Sequence, residues 1–231
     1  GLDLCVMLAF KKFLANITII GNKDAILSRA KQQKKNIIFS KRLGSHLGNG
    51  ELKIINLEYR NPVVPGQLDK NNSLKQLEGL KNSIELCLSK KFDALITLPI
   101  HKKILSSKGN KFSGHTEHLA DICNHKGKEV MLLSNKKLNV ALATTHISLK
   151  DVPRKITQKG LRTTISTLHN DLRKKFKISC PKITVTGLNP HSGEDGEFCD
   201  EEIKIIKPVV SEMQELGISV NGPIPSDTAF T

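Results

Sequence analysis

The chain has 231 residues, 38% of them hydrophobic, and a formal net charge of +14. That length suffices for one large α/β domain or two modest ones, and the apolar run from Leu4 to Phe10 is too short for a membrane span and has no cleavage site after it. The charge is spread over the chain in short clusters such as Lys34–Lys35 and Lys174–Lys175, with no Trp and a single Tyr to stack on bases, so it reads as a basic surface with no nucleic-acid partner.

The chain opens on Gly1 inside a helix-like pattern. "NITIIGN" then reads as a strand, "KDAILSRAKQ" as a helix and "NIIFS" as a second strand, a βαβ unit. A Gly-rich connector from Gly44 to Gly50 leads to a strand in "ELKIINLE". The loop from Asn61 to Asn72 is the place for a lobe boundary, and from Ser73, read as an N-cap, Leu74, Leu77, Leu80, Ile84 and Cys87 recur at helical spacing.

"FDALITLPI" reads as a buried strand ended by Pro99. "VMLLS" and "LNVALATTH" form a hairpin about the turn Asn135–Lys137. Leu161, Ile165, Leu168 and Leu172 mark a helix, and "KITVTG" the strand after it. The last helix carries Ile203, Ile206, Val210 and Met213, is kinked or started by Pro208, and closes at Gly217. Strand–helix alternation with one hairpin predicts an α/β fold with a mixed sheet flanked by helices. The chain stops after a polar loop, so both ends read as cut and residues 1–231 as a single, incomplete catalytic domain.

Five cysteines without a CxxC indicate unpaired thiols in a reducing, cytoplasmic compartment. Ligands of open α/β sheets bind beyond the carboxyl ends of strands, and polar groups gather there: His101 and Lys102, then Thr144, Thr145 and His146, then Asn189, Pro190 and His191, then Ser226, Asp227 and Thr228. Gly114–His115–Thr116–Glu117 opens a helix whose free N–H groups suit an anion. One such His is most simply a surface imidazole; several together point to a site. His146 and His191 are the best metal candidates, and a third ligand is not identified. His118 and His125 read as solvent-facing, His169 as structural, and Glu194 with Asp195 as an acidic pair or a turn. No G-x-G-x-x-G, P-loop, G-x-S-x-G or H-E-x-x-H is present.

"GHTE", "ALATTHISLKDV", "GLNPHSGEDG" and "NGPIPSDTAF", in this order and spacing, resemble the 4-hydroxythreonine-4-phosphate dehydrogenase family of vitamin B6 synthesis, colinearly over essentially the whole chain. The resemblance implies the isocitrate/isopropylmalate dehydrogenase type of fold, with two lobes and a nicotinamide cofactor (NAD or NADP) bound without the Rossmann fingerprint. It implies a homodimer with sites at the interface and a divalent metal, zinc above magnesium or cobalt, held by three His, one from the neighbouring subunit. His146 and His191 match the first two, His115 and Thr116 the substrate-contacting pair, and Asp227 an acidic residue of the active-site loop. The family's third His, its phosphate contacts and much of its cofactor site lie in a segment beyond this chain, so no cofactor-binding residue is assigned. Leu98 stands where the family has Gly, a departure that would crowd a ligand near the backbone.

The implied substrate is a small phosphorylated amino acid, 4-hydroxythreonine 4-phosphate, oxidised to a 3-oxo acid that decarboxylates to 3-amino-2-oxopropyl phosphate on the way to pyridoxal 5'-phosphate. Two rival readings stand beside it. One is a sister dehydrogenase of a threonate or erythronate phosphate, and the other a non-catalytic remnant with a basic surface.

Overall fold

The structure is a computed structural model and describes residues 1–41, 44–106, 112, 114–197 and 199–230. Phe198 of the "GEDGEF" stretch and the terminal Thr231 lie outside the described residues. The chain divides into two units, Gly1–Asn124 and His125–Thr231.

The first unit runs α1 (Leu2–Leu8), β1 (Thr18–Gly21), α2 (Lys23–Gln32), β2 (Ile38–Phe39), β3 (Glu51–Asn56), α3 (Ser73–Leu88), α4 (Lys102–Leu105) and α5 (His115–Ile122). Its sheet is parallel in the order β1-β3-β2, so β3 inserts between the two strands of the expected βαβ unit. Asn22 caps α2, its Oδ1 accepting from the Ala25 N–H at 2.8 Å. The apolar face of α2 then packs Ile26 and Ala30 against Cys5, Val6 and Ala9 of the α1 region and Leu52 of β3, all buried. Each fully buried Ile or Leu contributes about 1.5–3 kcal/mol.

Two local expectations change. The N-cap position of α3 is Asn72, one residue earlier than expected and without a side-chain cap bond, while Ser73 is buried in the first turn and donates to the Lys70 carbonyl at 2.7 Å. The loop 61–72 lies inside the first unit, pinned where Asn72 accepts from the Asn61 N–H and donates to its carbonyl. The stretch 92–100 joins no ladder: Ile96 is 87% exposed, and Leu98 turns to the core cluster around Cys5 and Val6. Its apolar character serves packing on a helix rather than pairing in a sheet.

The second unit begins with the expected hairpin, β4 (Leu132–Ser134) and β5 (Asn139–Ala141). Asn135 Oδ1 closes its turn by accepting from the N–H groups of Lys137 and Leu138 at 2.8 and 2.9 Å. Then come α6 (Val152–Lys155), α7 (Gln158–Lys174), β6 (Ile183–Thr186), α8 (Lys207–Glu215) and β7 (Val220–Ile224). Thr157 caps α7 through Oγ1, which accepts from the Gly160 N–H. One wide π-turn, Glu202–Ile206, leads into α8, placing Pro208 in the first turn, where its missing N–H costs nothing. Gly217, at φ +79°, ends the helix, its N–H donating to the Gln214 carbonyl.

Strands β6 and β7 pair in parallel, with Ile183 opposite Val220 and Thr186 opposite Ile224. Leu161 and Ile165 of α7 pack with Ile206, Val209, Val210 and Met213 over Ile183 and Val220. The protein is therefore α/β with parallel sheet. One mixed sheet was expected; among the described residues the strands instead form three separate sheets, two parallel and one antiparallel. The stretch 92–100, read as a sheet strand, contributes to none of them. All five cysteines are free, and no helix among the described residues is long and apolar enough to cross a membrane.

Candidate active site

Two parallel strands release their chains at the same edge. The Gly187 N–H donates to the Ile224 carbonyl at 2.8 Å, extending the β6–β7 pairing one residue before the loops diverge. The loop after β6 carries His191 and the loop after β7 carries Asp227, and their side chains meet, Nδ1 to Oδ2 at 3.8 Å. That separation exceeds a hydrogen bond. Both side chains are more than half exposed, so solvent and ligands reach them.

His191 stands on an uncommon backbone. Residues His191, Ser192, Gly193, Glu194 and Asp195 all occupy the left-handed region, with φ from +42° to +81°. Each non-glycine residue there costs roughly 1–2 kcal/mol relative to the right-handed form, so the surroundings must hold the turn. A Cβ on Gly187 would lie 2.7 Å from Ser192 Oγ, and one on Gly193 would lie 2.9 Å from Glu202 Oε2, so the turn folds tightly on both. Glu194 and Asp195 form part of this turn, and Asp195 also pairs with Lys207 at 3.3 Å.

Beneath the turn lies Glu202, 1% exposed, a residue the sequence reading passed over. Its Oε1 accepts the backbone N–H groups of Leu188 and Asn189, both at 2.8 Å, and its Oε2 accepts from Asn189 Nδ2 at 2.9 Å. Burial pushes its pKa up, but the hydrogen bonds from Asn189 and Leu188 outweigh that, and the net shift is downward. A signal was present: Glu202 stands four residues before Ile206 and eleven before Met213, on the buried stripe of the last helical segment.

His146 follows the hairpin. The Leu142 N–H donates to the Met131 carbonyl at 3.0 Å, after which Thr144, Thr145 and His146 leave the ladder. His146 is exposed and, like His191, has positive φ, +54°. Such backbone at a non-glycine residue is uncommon and concentrates at functional sites.

In the first unit, His115 and Thr116 open α5. The ring of Phe112 meets His115 edge-on at 5.9 Å and His118 at 5.3 Å, so His118 is not solvent-facing as expected; its Nε2 is buried without a hydrogen-bond partner. Burial, helped by His118 and Lys102, lowers the His115 pKa. At Gly114 the absent side chain leaves room for Glu117 Oε2 and Lys102 Nζ, 2.5 and 3.3 Å from where a Cβ would stand. Lys102 and Glu117 thus bring opposite charges together beside the helix start. His125 is exposed beyond α5, His101 is exposed before α4, and His46 is buried with Nε2 2.8 Å from the Leu8 carbonyl oxygen. His169 is half-buried on α7, with Nδ1 lacking a hydrogen-bond partner.

Neutral imidazole and carboxylate are apt ligands for zinc and its neighbours. The count is short, because among the described residues no three His, Cys, Asp or Glu side chains form a group that could hold an ion. The described residues thus show no assembled ligand set around His146 or His191.

Residues 13–231 match the family model described as pyridoxal phosphate biosynthetic protein PdxA. The 4-hydroxythreonine-4-phosphate dehydrogenase of Methylococcus capsulatus is 37% identical over all of this chain and 70% of its own length; that of Yersinia enterocolitica is 40% identical over the same shares. The crystal structure of 4-hydroxythreonine-4-phosphate dehydrogenase from Klebsiella pneumoniae superposes with a TM-score of 0.89 at 26% identity, covering 99% of this chain and 72% of that one. Family model, relatives and solved structure agree, and the chain belongs to the PdxA family of pyridoxal phosphate biosynthetic dehydrogenases.

Proposed function

We propose that the chain oxidises 4-hydroxythreonine 4-phosphate with NAD or NADP, as a step in making pyridoxal 5'-phosphate. The observation that carries the reading is the whole-chain match to dehydrogenases of that name, together with the one strand edge that presents both His191 and Asp227. The carbon bearing the secondary hydroxyl gives its hydrogen as hydride to the nicotinamide and the hydroxyl gives its proton to a base, leaving a 3-oxo acid. That acid loses CO2 from the carbon next to the new carbonyl, takes up a proton there, and becomes 3-amino-2-oxopropyl phosphate.

Asp227 is our candidate to hold or move a proton at this edge, since its carboxylate faces the His191 ring and is open to solvent. His115 and Thr116 are read as substrate-orienting residues. Their place at the start of α5 supports an anionic partner. A bound divalent metal, zinc before magnesium or cobalt, would polarise the substrate oxygen and lower the pKa of its hydroxyl. His146 and His191 are the residues that would hold it. The short ligand count supports a second copy of the chain completing the site, in a homodimer of isocitrate dehydrogenase-like subunits. Five free thiols favour a cytoplasmic setting.

The test is formation of reduced nicotinamide from 4-hydroxythreonine 4-phosphate with zinc present, beside threonate and erythronate phosphates. Turnover confined to the first substrate supports the reading. Turnover only on the others moves the chain to a sister specificity, and none on any substrate overturns the proposal.

A further inference from the structure

We propose that Glu202 is a positioning residue, the brace that keeps the left-handed turn 191–195 in place and so aims His191 toward Asp227. This rests on the reading of His191 as a site residue. The turn is unfavourable on its own, with four non-glycine residues in the left-handed region. Something must over-determine it, and one buried group, Glu202, contacts both of its sides.

On the entry side, one carboxylate oxygen collects the two successive N–H groups of Leu188 and Asn189, fixing the peptide just before Pro190. The other oxygen takes the Asn189 side-chain amide, which also donates to Glu201 Oε2 at 3.1 Å. On the inner side, Gly193 passes so close to Oε2 that no side chain fits between them. Glu202 is thus held at both ends of the turn, and among the described residues its hydrogen bonds go to Leu188 and Asn189, not to His191 or Asp227. It neither reaches solvent nor joins an ion pair among the described residues, as an acid present for solubility would. Charge-assisted bonds from backbone N–H groups to a carboxylate are the strong kind, which suits a brace against backbone strain.

Glu202→Gln keeps the acceptor for both backbone N–H groups but sets an NH2 against Asn189 Nδ2, and Glu202→Ala removes the brace. Two measurements on the 231-residue chain decide the matter. The first is the strong intraresidue HN–Hα contact in NMR that marks positive φ at Ser192, Glu194 and Asp195, with β6–β7 contacts as the control for folding. We expect the mark to weaken in Glu202→Gln and vanish in Glu202→Ala while β6 and β7 stay paired. If Glu202→Ala does not fold, the volume-conserving Glu202→Gln decides. A folded variant that keeps the mark at full strength overturns the proposal.

The second measurement is calorimetric titration with zinc alone, including His191→Ala. Loss of roughly 10-fold to 100-fold in affinity for the Glu202 variants at unchanged fold supports positioning, since supporting residues around a ligand have effects of that size. Wild-type affinity in a folded Glu202→Ala overturns it. If His191→Ala binds zinc as the parent does, or the parent binds none, the metal reading of His191 falls, and the NMR comparison alone decides for or against the brace.

Discussion

Gly222 passes Val185 so closely that a Cβ on it would stand 2.2 Å from the Val185 carbonyl oxygen, with the carbonyl carbon at 3.1 Å. The atoms in the way are backbone, so no side-chain rotation relieves the clash. This is the point where β7 shifts register against β6, between the rungs at Thr184 and Thr186. Gly222→Ala should therefore part the two strands that carry His191 and Asp227. We expect a loss of about 3 kcal/mol in denaturant unfolding and the disappearance of activity with it. Gly127→Ala, at φ +77° but with nothing within 4 Å, is the control and should cost only about 1–2 kcal/mol.

Met213 is fully buried between α7 and the β6–β7 pair. Truncation there leaves a cavity that close-packed neighbours fill only in part. Met213→Ala should cost about 2–5 kcal/mol, measured as a lowered denaturation midpoint with unchanged slope.

His115 yields a pH dependence with a definite sign. Burial, then His118 and Lys102, lower its folded-state pKa below the ordinary imidazole value of about 6.5. The folded state thus binds fewer protons than the unfolded one. Its contribution to stability is fully present above that ordinary value and declines as pH falls from there toward the folded pKa. Ring NMR should show His115 titrating below the ordinary imidazole value, and His115→Gln should flatten stability between about pH 6.5 and the folded value. An imidazole that titrates at or above the ordinary value sinks this prediction.

Asp227→Asn keeps shape and removes charge from a residue that is 55% exposed. Stability should stay within about 0.5 kcal/mol. Formation of reduced nicotinamide should fall by about 100-fold or more if the carboxylate handles a proton. Retained turnover would reduce Asp227 to a neighbour of the site.

Features written in local chemistry were legible in the sequence: the hairpin closed by Asn135, the helix end at Gly217, and the strand that stops before His191. Each depends on a handful of adjacent residues, and so does the motif set that gave the family. The stretch 92–100 was misread because an apolar pattern does not say what its residues meet: none of them is buried, Ile96 stands 87% exposed, and only Leu98 packs against the core cluster around Cys5 and Val6. The insertion of β3 between β1 and β2 is likewise a pairing between distant segments. Asn72 takes the N-cap position but spends its side chain on Asn61, eleven residues earlier, a contact that local spacing does not announce. Glu202 escaped notice because charged residues are ordinarily read as solvent-facing, although its spacing from Ile206 and Met213 marked it as inward.

The run of left-handed residues has a bearing on engineering. Glycine suffers no steric penalty in that region, so replacing Ser192, Glu194 or Asp195 by glycine removes about 1 kcal/mol of conformational strain apiece. A selection for heat resistance alone would therefore drift toward glycine in this loop. It would reward variants whose loop needs no brace, and whose imidazole is correspondingly free to wander. Tolerance of heat and speed of turnover are set against each other within five consecutive residues, and a screen of this enzyme has to score both.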